Sequence, residues 1–107
     1  MSEAVGSTDR RVFVVMRTHG ARWQASQPLE GQVDWAGHAA FMDALVEDGF
    51  VVLGGPLDGA DAALVVVRAE SADAVRARLA DDPWVRLDLL SDTLVAPWTL
   101  RLGSLDT

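Results

Sequence analysis

The order in which strand-like and helix-like segments follow one another is the strongest constraint on the fold of this chain. Four short runs are rich in β-branched and aromatic residues, and two segments have apolar residues at helical spacing. Strands are predicted over residues 11–17, 50–56, 63–69 and 92–102, and helices over residues 34–49 and 71–80. The order β-α-β-β-α-β is the ferredoxin-like pattern, an α+β fold with a four-stranded antiparallel sheet and two helices on one face.

Local signals mark the ends of these elements. Asp34 offers an N-cap to the first helix, and Gly49 offers a left-handed stop just past its end. Pro83 ends the second helix, because the residue before a proline is pushed out of helical backbone. Pro97 inside the last strand indicates an edge position or a bulge. Residues 18–33 have no periodicity and are predicted to form a long loop, which in a compact domain is often functional or mobile.

The strands are apolar on both faces, as "VFVVM" and "LVVV" illustrate. Helices on one side of the sheet would cover one face only, so the other face also needs to be buried. A chain of 107 residues has enough material for one core and nothing left for the second face. We therefore predict a homodimer in which the open sheet faces meet. The alternative is that strong β-propensity alone accounts for the valines.

Composition excludes several classes of function. The chain has no Cys, Lys or Tyr, which rules out disulfides, thiolate nucleophiles, Schiff-base lysines and tyrosine acids. A net charge of -7 without a cluster of arginines argues against nucleic-acid binding. No apolar run approaches the roughly 20 residues of a membrane helix, and the N-terminus lacks the apolar core of a signal peptide. We expect no membrane association and a cytoplasmic location.

Residues 1–10 are polar and small, and are predicted to form a flexible arm ahead of a single domain over residues 11–107. Lys, Asn, Ile and Tyr are all absent, and all four have AT-rich codons. This usage indicates a GC-rich bacterial genome.

His38 lies in the first predicted helix, where an apolar residue is expected. At about 100° per residue it falls within the arc of the helix's large apolar side chains, so it faces inward. One interpretation is a buried neutral imidazole that is hydrogen-bonded within the core. The other is an imidazole that lines a pocket, where histidine is suited to general acid–base catalysis. These residues alone do not decide between the two.

Four stretches in this order resemble the YCII-related (YciI-like) family: "WAGHAAFMDAL", "GFVVLGGPL", "LADDPW" and "LVAPWTLRLG". The resemblance covers residues 12–103 and implies a ferredoxin-like fold that assembles as a dimeric α+β barrel. It also implies a catalytic His–Asp dyad, whose matching positions are His38 and Asp82, the residue directly before Pro83. One branch of the family removes HCl from an aromatic ring diol. Many members have a small pair such as Ala-Gly after the Asp-Pro-aromatic motif, whereas the bulkier "VRLDLL" here implies a different pocket wall.

Four more residues are candidates for binding a substrate: Arg17, Trp23, Trp35 and Trp84. Arg17 could bind a carboxylate or phenolate, or form a surface salt bridge. Trp35 opens the first helix one turn before His38, and Trp84 could stack on a substrate or fill the core. Trp23 lies with His19 on the predicted loop, where the two could form a lid. An ordinary loop residue is the alternative for His19.

Together these observations predict a homodimeric small-molecule enzyme that needs neither a metal nor an organic cofactor. With two histidines and no cysteine, a metal site would need carboxylates to complete it. His38 would act as general base or acid and Asp82 would orient it, in a lyase- or isomerase-type proton abstraction. Two alternatives remain: a non-catalytic dimer that binds a metabolite or assists a partner protein, and a cofactor-free monooxygenase.

Overall fold

The computed structural model describes residues 10–105, and within this range it has a four-stranded sheet and three helices. The strands are β1 (Arg11–His19), β2 (Val51–Pro56), β3 (Ala62–Ala69) and β4 (Leu90–Pro97). The helices are α1 (Trp35–Glu47), α2 (Ala72–Leu79) and α3 (Pro83–Arg86), and a 3-10 turn (Leu29–Gly31) precedes α1. All strand pairs are antiparallel in the order β2-β3-β1-β4, which confirms the predicted ferredoxin-like α+β fold. The predicted N-terminal arm lies outside the described residues, apart from Arg10.

Strand β1 is central and sets the direction of the key side chains. It pairs with β3 on one side and with β4 on the other. Phe13, Val15 and Arg17 are all buried, and they alternate with less buried residues as the pleat requires. Phe13 and Val15 belong to the main core. Arg17 therefore continues the same face of the strand and places a positive charge at its far end.

The main core lies between the sheet and helices α1 and α2. Full burial of a Val, Leu or Phe side chain stabilises the fold by about 1.5–3 kcal/mol, so these contacts provide the main stabilisation. The buried members are Phe13, Val15, Leu45, Phe50, Val51, Val65, Val67, Ala69, Val75 and Leu79. A second buried cluster, formed by Trp84, Leu89 and Leu90, lies beneath the loop that follows β1.

Helix α1 begins and ends where the sequence predicts. The Asp34 carboxylate accepts a hydrogen bond from the Gly37 N–H at 3.1 Å, which satisfies one free donor of the first turn. Gly49 has a φ of 85°, the left-handed stop expected of glycine. Asp34 itself has a φ of 54°, which was not predicted; aspartate is among the few residues that tolerate this region.

The segment around Pro83 separates two helices and begins the second of them. Helix α2 stops at Leu79, and Pro83 then opens the short helix α3, which the sequence analysis did not predict. Proline suits the first position of a helix because the N–H it lacks would have had no partner there. Asp82 is the N-cap of α3 and accepts a hydrogen bond from the Trp84 N–H at 2.9 Å.

Strands β1 and β4 differ from their predicted bounds by two residues or more, and β4 begins at Leu90 rather than at residue 92. β1 continues for two residues beyond the prediction, because Thr18 and His19 pair with the start of β4. β4 ends at Pro97 rather than at residue 102. Among the described residues β1 begins at Arg11, so the segment that follows Trp98 soon runs past the end of its partner strand. β4 is an edge strand, as the proline indicated.

The loop between β1 and α1 has an internal anchor. Gln32 is 3% exposed, which is rare for a glutamine on a surface loop. Its Oε1 accepts from the Gln24 N–H at 2.9 Å, and its Nε2 donates to the Gln24 carbonyl at 2.7 Å and the Gln27 carbonyl at 3.2 Å. One side chain therefore supplies the hydrogen bonds that a sheet or helix would otherwise provide to this backbone.

The second face of the sheet is also apolar. Val14 lies opposite Val66, and Met16 lies opposite both Leu64 and Leu94, so these side chains share the face that is turned away from Phe13. Leu94 is 46% exposed. No helix among residues 10–105 is both long and apolar enough to cross a membrane.

Replacing the loop anchor should open the loop without unfolding the domain. Gln32→Ala removes a buried side chain whose hydrogen bonds contribute about 1–3 kcal/mol, which corresponds to a rise of roughly 5- to 150-fold in the open population. Trypsin should then cleave after Arg22 at least about fivefold faster than in the wild type. Gln27→Ala is the control, since that side chain is exposed. Equal cleavage rates for both variants would contradict the anchoring role of Gln32.

Candidate active site

A cavity of about 470 Å³ opens between the start of α1, the end of β1 and strand β2. Its wall includes five of the six residues that the sequence analysis selected: Arg17, Trp23, Trp35, His38 and Trp84. The sixth, Asp82, is fully buried behind His38 and contacts it directly. The structure thus brings together residues from β1, the following loop, α1 and α3.

His38 Nδ1 lies 2.9 Å from Asp82 Oδ1 and 3.0 Å from Oδ2. An ionised carboxylate can only accept, so the neutral imidazole carries its proton on Nδ1. This leaves Nε2 with a free lone pair, which is the form that a general base needs. The His38 side chain is 12% exposed. His38 is therefore neither sealed in the core nor bonded to the backbone.

Trp84 fixes the plane of the imidazole. The two rings are stacked with centroids 3.8 Å apart and an angle of 3° between their planes. Trp84 is itself held at both ends, because its backbone N–H donates to Asp82 and its Nε1 donates to the Val33 carbonyl at 2.7 Å. The Asp-Pro-Trp sequence thus places a carboxylate at one edge of His38 and an indole against its face.

Arg17 is a buried ion-pair residue, so the predicted alternative of a surface salt bridge is wrong. Its Nη1 lies 3.0 Å from Asp82 Oδ2, and its Nε lies 2.6 Å from Asp92 Oδ1. Asp92 pairs with Arg17 across β1 and β4, next to a register shift between Met16 and Arg17. The Nη2 atom is buried and has no hydrogen-bond partner in the described part of the chain. Asp82 therefore joins His38 to a guanidinium that retains a free donor.

The surroundings of Asp82 keep it ionised. Burial raises its pKa, but the hydrogen bonds from His38 and from the Trp84 N–H, together with the charge of Arg17, outweigh that effect. The net result is a pKa of Asp82 below the ordinary value. The carboxylate is thus charged at neutral pH, and it can stabilise a positive charge on His38.

The remaining walls are largely aromatic. Trp23 meets Trp84 edge-on with centroids 5.4 Å apart, and Trp35 lies at 5.8 Å from Trp84. Trp84 is 1% exposed, so it serves mainly as a buried support behind the cavity. His19, at the end of β1, stacks on Trp23 at 3.7 Å. The cavity therefore has rings on several sides and titratable groups set among them.

Several site residues could not be identified from the sequence. Asp92 looked like an ordinary strand polar residue, and only the register of β4 places it beside Arg17. The Gly54–Gly55–Pro56 end of β2 lines the cavity. A Cβ on Gly54 would lie 3.0 Å from the Leu64 carbonyl, so the strands approach closely here. A glycine pair inside a strand was the available signal for this close approach.

One residue of the predicted inward arc of α1 differs from expectation. By helical spacing Val46 falls in the same apolar arc as His38, yet it is 53% exposed and lines the cavity. Helical spacing identifies a face, but it does not show where the neighbouring strand ends. Within residues 10–105, no three His, Asp or Glu side chains are grouped so that they could hold a metal ion.

The family model described as the YCII-related domain matches residues 16–99. The matched span includes every site residue described above, from Arg17 to Asp92. No curated protein matches the chain.

Neutralising Asp82 should destabilise the fold strongly at neutral pH. Asp82→Asn leaves Arg17 with only one of its two carboxylates, so the free energy of unfolding should fall by roughly 3 kcal/mol. Urea unfolding measures this loss. Asp81→Asn is the control: Asp81 is 67% exposed and, within residues 10–105, pairs only with Arg86, and exposed pairs contribute at most about 1 kcal/mol.

The loss of unfolding free energy caused by Asp82→Asn should depend on pH. The folded pKa of Asp82 is lowered, so its stabilisation is fully present above the unfolded value of 3.8 and is lost as the pH falls through the folded pKa. The difference between wild type and Asp82→Asn should therefore shrink as the pH is lowered below about 4. A difference that stays constant down to pH 3 would contradict the ionised, paired state of Asp82.

Proposed function

The chain belongs to the YCII-related domain family, and we propose that it is a cofactor-free enzyme that removes a proton from a small cyclic or aromatic substrate. One observation carries this proposal: His38 is held at 2.9 Å by a buried, ionised Asp82 in the wall of a 470 Å³ cavity. A cavity of roughly 300–1,000 Å³ is typical for small-molecule ligands. The proposed reaction is an elimination or an isomerisation.

His38 acts as the general base in this proposal. Nε2 accepts a proton from carbon, and the electron pair of the broken C–H bond forms a new double bond. In an elimination a leaving group departs with its own bonding pair; in an isomerisation the proton returns at another atom. Asp82 holds the tautomer and stabilises the imidazolium that forms. Proton transfer by a positioned group of this kind contributes about 10²–10⁴-fold to the rate.

The surroundings of Arg17 favour a substrate that carries an anionic oxygen. A buried donor without a partner costs about 1–3 kcal/mol, and the free Nη2 of Arg17 is such a donor among the described residues. Met42 Sδ lies 3.5 Å from Arg17 Nη1, and Met42 also lines the cavity. A methionine is flexible enough to move aside for a ligand. A phenolate, enolate or carboxylate oxygen that replaces the sulfur would accept a hydrogen bond from this guanidinium.

The aromatic side chains in the cavity wall favour a substrate that contains a planar ring. Trp23 and Trp35 line the cavity and, unlike Trp84, are only partly buried. Stacked or edge-on contacts between rings contribute about 0.5–1.5 kcal/mol each beyond simple burial. Together with Arg17, they favour a single ring that bears at least one acidic oxygen.

We also propose that two chains assemble through the open face of the sheet. Val14, Met16, Leu64 and Val66 lie together on this face. Val66 is buried within one chain, the other three are partly buried, and Leu94 adds an exposed apolar edge. Partly exposed apolar side chains grouped on one face are typical of a protein–protein contact surface. A two-fold pair of such faces would form a dimeric α+β barrel.

Replacing the proposed base should abolish turnover. We expect His38→Gln to lower kcat by at least about 10²-fold without lowering the Tm, since glutamine can still hydrogen-bond but cannot accept the proton. A suitable panel contains aromatic diols with and without ring chlorine, assayed by chloride release, by absorbance and by oxygen uptake. The control is Glu47→Gln, an exposed change on the same helix.

The same panel distinguishes the other candidate functions. Full turnover by His38→Gln would remove His38 from the mechanism. Ligand binding by the wild type without product would favour the non-catalytic binding module. Oxygen uptake that matches product formation would favour the monooxygenase.

A charge on the open face should prevent dimerisation. Light scattering should give twice the chain mass for the wild type and a single chain mass for Met16→Arg, because the arginine would be buried without a partner at the proposed interface. Ala60→Arg, in the exposed β2–β3 turn, is the control and should stay dimeric. A monomeric wild type would contradict the proposed assembly.

A further inference from the structure

A second histidine at the cavity repeats the arrangement of the first. His19 and His38 both line the cavity wall. His19 stacks on Trp23 with centroids 3.7 Å apart and a 12° angle, much as His38 stacks on Trp84 at 3.8 Å and 3°. Trp23 meets Trp84 edge-on at 5.4 Å, so the two stacks adjoin at a corner of the cavity. Both imidazoles thus lie in the wall of one cavity, each stacked on one tryptophan of the same edge-on pair.

His19 is held by strand pairing and by the β2–β3 connection. It pairs with Leu90 in the sheet, and its backbone N–H donates to the Asp61 carbonyl at 3.0 Å. Asp61 Oδ1 lies 3.8 Å from His19 Nδ1, which is an ion-pair distance but longer than a hydrogen bond. Nδ1 is thus turned towards Asp61, and Nε2 is the nitrogen left for a ligand.

The two histidines differ in their access to solvent. The His19 side chain is 24% exposed, whereas that of His38 is 12% exposed and its carboxylate partner is fully buried. Asp61, by contrast, is 98% exposed, so its influence on His19 is screened by water. His19 is therefore the imidazole that is more accessible to solvent protons. His38 is the imidazole whose position is fixed by a buried partner.

We propose that His19 is a second acid–base residue of this cavity and acts as the general acid opposite His38. This rests on the proposed function. In an elimination, His38 Nε2 takes the proton from carbon, the C–H electron pair forms the double bond, and the leaving group departs with its bonding pair. Protonated His19 then donates its Nε2 proton to the leaving group. His38 ends protonated and His19 neutral, and exchange with solvent restores both.

A pair of imidazoles also suits the electrostatics of the cavity. Proton gain by His38 and proton loss by His19 leave the total charge of the site unchanged during the step. Without a general acid the leaving group would remain an anion beside Trp23, Trp35 and Trp84, where desolvation makes an unpaired charge costly. The substrate class follows from the geometry: a ring with an acidic C–H and a separate atom that accepts a proton as it leaves.

Contact between ligand and both histidines can be tested directly by NMR. The chain has only two histidines, so their imidazole ¹⁵N signals are resolved, and His19→Gln and His38→Gln assign them. The probes are benzoate and catechol, each titrated into the wild-type full chain. We expect both imidazoles to shift along one saturation curve. A shift of His38 alone would overturn the role of His19 but leave the proposed function intact, whereas no shift of either would overturn both.

The catalytic role needs a readout that a structural role would not change. With a substrate that loses an oxygen leaving group, or that is reprotonated during isomerisation, His19→Gln should lower kcat by about 10²-fold or more and change KM by less than about threefold. Added imidazole should restore part of the activity of His19→Ala, because the hole left beside Trp23 has the shape of that ring. Asp58→Asn, in the exposed β2–β3 turn, is the control.

The outcomes separate the two proposals. Wild-type kcat in His19→Gln, with His38→Gln inactive, would overturn the role of His19 alone. A large loss of activity in His19→Ala that imidazole does not restore would also overturn it. A wild type that turns over nothing in the panel would overturn the acid–base pair together with the proposed function.

Discussion

The buried carboxylate of Asp82 is the interaction on which the rest of the site depends. It accepts from His38 Nδ1 at 2.9 Å and from the Trp84 N–H at 2.9 Å, and it pairs with Arg17 Nη1 at 3.0 Å. A fully buried charge is tolerated only when it is this well compensated. The carboxylate orients each partner in turn. It accepts from Nδ1 of the imidazole, from the backbone N–H that precedes the indole, and from one nitrogen of the planar guanidinium.

The fold supplies these partners from distant parts of the chain. β1 places Arg17 at the site because the alternation that buries Phe13 and Val15 continues to the end of the strand. α1 carries His38 one turn after the Asp34 cap, and α3 begins at Pro83 with Asp82 as its N-cap. The ferredoxin-like order places these three ends around one cavity. The site is thus a consequence of where elements end, and the core beneath it keeps those ends in register.

Much of the fold could be predicted from the sequence, but only part of the site. Periods of two and of 3.6 residues identify strands and helices, and their order defines the topology. The inward direction of His38 followed from helical spacing. The pairing of Arg17 with Asp92 did not, because it depends on a register shift between β1 and β4 that no local pattern encodes. The pairing of His38 with Asp82 came from a family resemblance, since many aspartates fit the chemistry equally well.

The tautomer of His38 is the central claim of this account, and imidazole ¹⁵N spectroscopy measures it directly. With Asp82 ionised and accepting from Nδ1, the neutral ring should carry its proton on Nδ1 and leave Nε2 unprotonated. Long-range ¹H–¹⁵N correlation, at a pH where the ring is neutral, should show that pattern for His38. In Asp82→Asn the carboxylate that fixes the Nδ1–H tautomer is absent, so the preference for this tautomer should weaken. A neutral His38 that carries its proton on Nε2 in the wild type would contradict the account.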